Sequence, residues 1–269
     1  MMGESNLRLG DAADQEAVED ALEDVSNVIF CAGGLLPVAS ERDPERDRRL
    51  TLGPVAATLA ALARHPGVRL TYLSSGGTVY GEPARIPVGE DDPTEPISTY
   101  GRLHLECEQM IRRAIRDADL GARVLRCSTV YGEHQRPDRG QGAVVTFLHR
   151  IQNDQPIDLY GGGSTIRDYV YVGDVAQAVV EMAAIGAGPS VVNVGSGTGT
   201  SLLDLLRLAE AEVGHPATVV EHPERNFEIH QIVLDTTRLH ELIDFEPTPI
   251  EAGIARTRRW LESAPAEAT

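Results

Sequence analysis

The apolar positions of this chain change period block by block, and the changes mark out alternating helices and strands. Across residues 14–24, Ala17, Val18, Ala21 and Leu22 recur at helical spacing, with Val25 just beyond. Residues 27–32, N-V-I-F-C-A, form an unbroken apolar run with β-branched members, closed by Gly33-Gly34. Such a run predicts a parallel strand buried on both faces. Residues 42–49 are dominated by charge and read as a loop. Residues 50–64, rich in Ala and Leu, predict a helix that stops near Pro66-Gly67. A strand over 69–74, a Pro-broken loop, a helix over 100–117 and a strand over 123–127 follow. Further on, Ser201 is placed to cap a helix over 202–211. Strands alternating with helices in this way predict an α/β fold built on a doubly wound parallel sheet.

Composition narrows the function classes. A chain of 269 residues is one large domain, or one core with a smaller lobe. The net charge of −17 excludes phosphate-backbone binding to nucleic acid and attraction to an anionic membrane surface. Three widely spaced cysteines, Cys31, Cys107 and Cys127, without a C-x-x-C pair, predict reduced thiols and neither a disulfide frame nor a metal site. No apolar run reaches the roughly 18 residues of a membrane span, and the N-terminus lacks an apolar signal core. The expected location is the cytoplasm.

Chemistry concentrates between residues 70 and 108. The run L-T-Y-L-S-S-G-G-T-V-Y-G ends a predicted strand in hydroxyls and glycines, and P-I-S-T-Y-G-R-L-H-L-E-C-E opens a helix with Tyr100 at its start. Residues 156–175 read P-I-D-L-Y-G-G-G-S-T-I-R-D-Y-V-Y-V-G-D-V. Together these runs resemble the extended short-chain dehydrogenase/reductases, in particular the NAD-dependent nucleotide-sugar epimerases and dehydratases, over residues 6–262. The resemblance implies a Rossmann-type core over 1–130 and a mainly substrate-binding lobe over 131–269, with 169–194 returning to the core. It makes Tyr100 the acid/base, with Thr78 or Ser75 polarising the substrate oxygen. The family's own hydroxyl position falls on Gly76. Asp11, Ala32, Gly33 and Ser74 would face NAD. Thr129, Gln135, Arg167 and Arg225 would hold a nucleotide sugar, the two arginines clasping its diphosphate with planar, bidentate donors. Helices around 50–64 and 100–117 resemble the family's dimer bundle, so a homodimer is expected.

Three departures matter. The family's Y-x-x-x-K becomes Y-x-x-x-H here, with His104 in the lysine position, and all 24 basic residues are arginines. A tyrosine, with an ordinary pKa of about 10, needs a nearby cation to ionise near neutrality, and a histidine is mostly neutral at pH 7. Second, Leu50 takes the place of the family's helix-start Asn. Third, no strand followed by G-x-x-G-x-x-G lies upstream of Leu7, so the fold is expected to lack its first strand and phosphate loop. Residues 7–10 could move into that slot, another chain could fill it, or the reading frame could start further upstream. The run V-V-N-V-G-S-G-T-G-T-S at 191–201 has the wrong glycine spacing for a displaced phosphate loop. Two functions stay open: an NAD-dependent epimerase or dehydratase relative, or a non-redox descendant. The latter binds a nucleotide sugar or another ligand without NAD, or uses Tyr100 and His104 for proton transfer.

Overall fold

The computed structural model describes residues 7–139, 142–186, 188–223 and 229–263. The first half contains α1 (Gln15–Ala21), β1 (Asn27–Phe30), α2 (Pro37–Arg42), α3 (Pro44–Leu62), β2 (Arg69–Ser75), α4 (Thr99–Ala118), β3 (Ala122–Cys127) and β4 (Thr129–Tyr131). The second contains α5 (Ala143–Gln152), β5 (Ile157–Tyr160), β6 (Ile166–Tyr171), α6 (Val172–Ala184), β7 (Val191–Val194) and β8 (Gly199–Ser201). It ends with α7 (Leu202–Val213), β9 (Val219–His222), β10 (Gln231–Ile232), α8 (Thr237–Leu242) and α9 (Ile250–Ser263).

The main sheet is parallel throughout, in the order β1-β2-β3-β7. Side chains alternate across it, as the two-residue period of a strand demands. Leu70, Tyr72, Val124 and Val191 face Leu22 just after α1, Val55 and Leu62 of α3, and Cys107 and Ile111 of α4. On the other face Leu125, Cys127, Val192 and Val194 meet Val175, Ala178, Val179 and Met182 of α6. Burial on both faces is why these strands read as continuous apolar runs. A second, smaller sheet runs β10-β6-β4, with β8 antiparallel to β6, and β5 pairs with β9. Helices α5, α7 and α9 pack around a separate core of Phe147, Leu148, Ile151, Leu205, Ile254 and Leu261.

Two expectations change. The charged stretch 42–49 is helical. The Asp43 side chain accepts from the Arg46 amide at 3.1 Å and Pro44 occupies the first turn, a strong start signal that charge had masked. Residues 7–10 form no strand and do not pair with β1. Leu9 is 91% exposed, and this segment borders a groove of about 490 Å³ against Val18, Leu22, Val25 and Val28. Among the described residues β1 therefore has one neighbour, β2, and Ile29 is 42% exposed.

Polar groups inside the core tie α4 to the sheet. Glu108 of α4 and Arg126 of β3 are both fully buried. Arg126 donates from Nε and Nη2 to the Glu108 carboxylate at 2.7 to 3.2 Å, and from Nη1 to the Glu90 carbonyl at 3.2 Å. The Ser74 hydroxyl adds a bond to Glu108 at 2.7 Å, and the Arg126 guanidinium lies 4.8 Å from the centre of the Tyr80 ring. Removing one partner of such a pair leaves a buried charge uncompensated. Arg126→Met is expected to cost about 3–5 kcal/mol in urea unfolding. Arg126→Met combined with Glu108→Leu should recover most of that loss.

Candidate active site

The carboxyl ends of β1, β2, β3 and β7 share one end of the sheet, and the sequence-predicted residues divide between those that reach it and those that do not. Tyr100 reaches it. Ser98 caps α4 by accepting from the Gly101 amide at 3.1 Å, and Glu41 of α2 accepts from the amide and hydroxyl of Thr99. Glycine at 101 lets the first turn press on the loop after β2, because a Cβ there would lie 2.8 Å from the Thr78 carbonyl. The first turn of α4, which carries Tyr100, thus packs on the Thr78 backbone. The Thr78 hydroxyl makes a long 3.4 Å contact to the Ser75 carbonyl, and Ser75 is half-buried at the strand end. Thr129 joins the group from β4, near Gly77. Ala32 and Gly33 are exposed at the end of β1, and a Cβ on Gly33 would meet open space.

The remaining predicted residues lie elsewhere or already make bonds within the protein. Ser74 is buried, and its hydroxyl is committed to Glu108. Asp11 sits in the loop before α1, its carboxylate accepting from the Ala13 amide. Gln135 packs under Gly142 with its Oε1 buried and unpaired. Arg167 lies at the start of β6 and donates to the carbonyls of Ile166 and His230 at 2.9 and 3.5 Å. Arg225 lies outside the described residues. The 191–201 run carries no phosphate loop. Asp168 takes the amides of Ser196 and Gly197, and Ser201 caps α7 as expected. At Gly76 the missing hydroxyl has a steric basis. A Cβ would come within 2.8 Å of the Arg126 carbonyl and 2.7 Å of Leu234.

The electrostatics around Tyr100 are set by burial and by an anion. His104 packs its ring 4.4 Å from that of Tyr100 and is 8% exposed, its Nδ1 3.1 Å from the Tyr72 hydroxyl. Burial drives the imidazole pKa down to about 4, against a smaller opposing pull from Glu108 and Asp47. Burial likewise pushes the Tyr100 hydroxyl up to about 12, reinforced by the Asp47 carboxylate and then by Cys127. Asp47, which the sequence reading placed in a charged loop, is 1% exposed on α3. Its Oδ1 accepts from the Leu35 amide at 2.7 Å and the Thr51 hydroxyl at 2.9 Å. The only signal for it in the sequence is its i,i+4 spacing to Thr51, once Asp43-Pro44 is recognised as a helix start.

A parallel sheet layered between helices, with a tyrosine opening the helix after the hydroxyl-bearing strand, defines a protein of the extended short-chain dehydrogenase/reductase type. The chain belongs to the NAD dependent epimerase/dehydratase family, whose pattern it matches over residues 2–195. It is 30% identical over 241 residues to a Methanocaldococcus jannaschii protein named for UDP-glucose 4-epimerase, spanning 90% of this chain and 78% of the relative. It is 34% identical to the UDP-glucose 4-epimerase of Mycolicibacterium smegmatis, over 74% of this chain and 64% of the relative. Among solved structures, UDP-glucose 4-epimerase from Thermotoga maritima with UDP-glucose superposes with a TM-score of 0.89 at 28% identity, covering 94% of this chain and 83% of that one. The UDP-glucose 4-epimerase of Thermus thermophilus in complex with NAD gives 0.88 at 28% identity, covering 95% and 84%.

The His104 environment has a measurable consequence. Its pKa falls from about 6.5 in the unfolded chain to about 4 in the fold. The neutral buried ring therefore contributes stability that is complete above pH 6.5 and is lost as the pH falls toward 4. The contribution is on the order of 3 kcal/mol. In NMR titration the His104 ring protons should hold constant down to about pH 5, while urea stability drops between pH 6.5 and 4 in the parent and much less in His104→Phe.

Proposed function

We propose that this protein binds a nucleotide sugar where the main sheet meets the C-terminal lobe, and that Tyr100 serves there as a neutral hydrogen-bond donor and proton donor. What carries this reading is the pairing of a retained R-D-Y-V strand, with Arg167 at its start, and a tyrosine whose hydroxyl is kept protonated by burial and then by the Asp47 carboxylate. The relatives named as UDP-glucose 4-epimerases and the T. maritima neighbour solved with UDP-glucose support the ligand class. Arg167 would meet the diphosphate with a planar fork, and Thr129 and Gln135 would line the sugar side.

NAD, when bound, supplies reversible hydride removal in this family. The residues around Tyr100 fit that chemistry poorly. Gly76 has neither the oxygen-polarising hydroxyl nor the room for one. His104 is held neutral where the family has lysine, and Ser74 spends its hydroxyl inside the core. This chain's own residues supply proton chemistry instead. Tyr100 stays protonated at physiological pH and can deliver a proton to a developing negative charge on a bound substrate. Thr78, whose carbonyl packs against the first turn of α4, would offer a second hydroxyl. The reading is of family machinery reduced to ligand binding and proton donation.

A second reading, NAD-dependent epimerisation or dehydration, is favoured by family membership and by the NAD-bound T. thermophilus neighbour. A homodimer through α3 and α4, where the sequence resembles the family's dimer bundle, and a cytoplasmic location fit either reading. Among the described residues no helix is long and apolar enough to cross a membrane. Calorimetry separates the readings. UDP-glucose is expected to bind without added NAD, and Arg167→Met should weaken it by about tenfold or more, the scale of one charge-assisted pair. NAD that binds at micromolar Kd and is required for the sugar to bind would establish the second reading in place of the first.

A further inference from the structure

The β1 side of the main sheet combines an open strand edge with an apolar groove. The Arg69 amide donates to the Ser26 carbonyl at 3.0 Å, and Asn27 sits opposite Arg69. In that register Val28 and Phe30 turn their backbone groups toward β2, while Asn27 and Ile29 turn theirs to the open side. The edge lacks the usual protection, since residues 27–31, N-V-I-F-C, contain neither a charge nor a proline. The groove of about 490 Å³ reaches β1 at Val28 and is walled by Val18, Ala21, Leu22 and Val25.

The apolar groups that would fill this groove stand next to it and stay outside. Leu9 is 91% exposed and Leu7 75%, the most exposed large apolar side chains among the described residues. They lie two residues apart, so an extended chain would point both to one side. Residues 8–10 form a lip of the groove, and the turn that starts α1 holds that lip where it is. The Asp14 amide donates to the Asp11 carbonyl and the Ala13 amide to the Asp11 carboxylate, both at 2.9 Å. A surface that carries projecting leucines beside a groove they do not enter is complementary to a second copy of itself about a twofold axis. Charge agrees with this. Asp11 and Asp20 line the groove, and among the described residues neither carboxylate has an ion-pair partner. The one charge within residues 7–10 is the cation of Arg8, which in its own chain donates to the Asp20 carbonyl.

We infer that this patch is an interface between two copies of the chain. Residues 7–10 of each copy lie extended along β1 of the other and set Leu7 and Leu9 into its groove. The sheet then continues across the contact, where main-chain hydrogen bonds supply affinity and alternate side chains supply specificity. The inference is independent of the chemistry assigned to Tyr100.

Light scattering on the full chain tests it, with hydrogen exchange as a second readout. The parent should have the mass of a dimer, or of a larger even assembly, at about 0.1 mM. Leu7→Asp combined with Leu9→Asp changes side chains that are exposed in the single copy, so the variant should keep the parent's circular dichroism. Its association should weaken about a hundredfold or more, halving the mass. The Asn27 and Ile29 amides, which face the open side, should exchange about tenfold faster or more in the variant than in the parent. If the double variant fails to fold, Ile29→Lys, which puts a charge on the open edge, should give the same halving. A parent that is monomeric at about 0.1 mM, or a folded variant that keeps the parent's mass, overturns the inference.

Discussion

The buried ion pair between Glu108 and Arg126 is the constraint on which the candidate site depends. It fastens the middle of α4 to β3, and the start of α4 carries Tyr100 and His104. A pair with no solvent access tolerates little displacement, since any shift would leave a charge in the core without its partner. The same carboxylate draws in Ser74 at the end of β2. Asn193 of β7 extends the lock on the other side of Arg126. It takes the Tyr80 hydroxyl at 2.6 Å and donates to the carbonyls of Val88 and Asp235. Three strands, one helix and the long loop between β2 and α4 are thereby held in one register.

That rigidity gives the electrostatics their force. With α4 fixed, His104 cannot swing into solvent to become a cation, and its ring is spent on packing between Tyr72 and Tyr100. Asp47 is fixed just as firmly from the α3 side. The balance of charge around the tyrosine is therefore negative where the family's Tyr-Lys arrangement makes it positive. Burial and a neighbouring anion act in the same direction on a phenol, both favouring the neutral form. On the proposed reading such a tyrosine is a donor, giving a proton or a hydrogen bond.

Much of the fold was legible because the main strands are buried on both faces and read as unbroken apolar runs. Residues 27–32 became β1 and 123–127 became β3 with small changes at the ends. At the carboxyl end, the turn that carries Tyr100 packs on Thr78 because glycine at 101 lets the backbone close in. What the sequence concealed was burial of charge. Residues 42–49 look like a solvated loop, yet Asp43 and Pro44 start a helix that carries Asp47 inward. Ser74 looked like part of the cofactor surface, but its hydroxyl points into the core toward a carboxylate 34 residues away. No local pattern announces a partner at that distance. Arg126 was likewise invisible as a core residue, because arginine inside a sheet makes sense only with Glu108 opposite.

The central claim is that Tyr100 sits in a site of negative charge and stays protonated. Its most direct test is an NMR pH titration of protein labelled with ¹³C at the tyrosine ζ carbons, with the Tyr100 signal assigned by its loss in Tyr100→Phe. The account predicts a signal unchanged through pH 10, with ionisation near pH 12 or only on unfolding. A Tyr100 signal that titrates close to pH 7 would contradict it, for that would require a cation near a hydroxyl on which burial and the Asp47 carboxylate both act in the opposite direction.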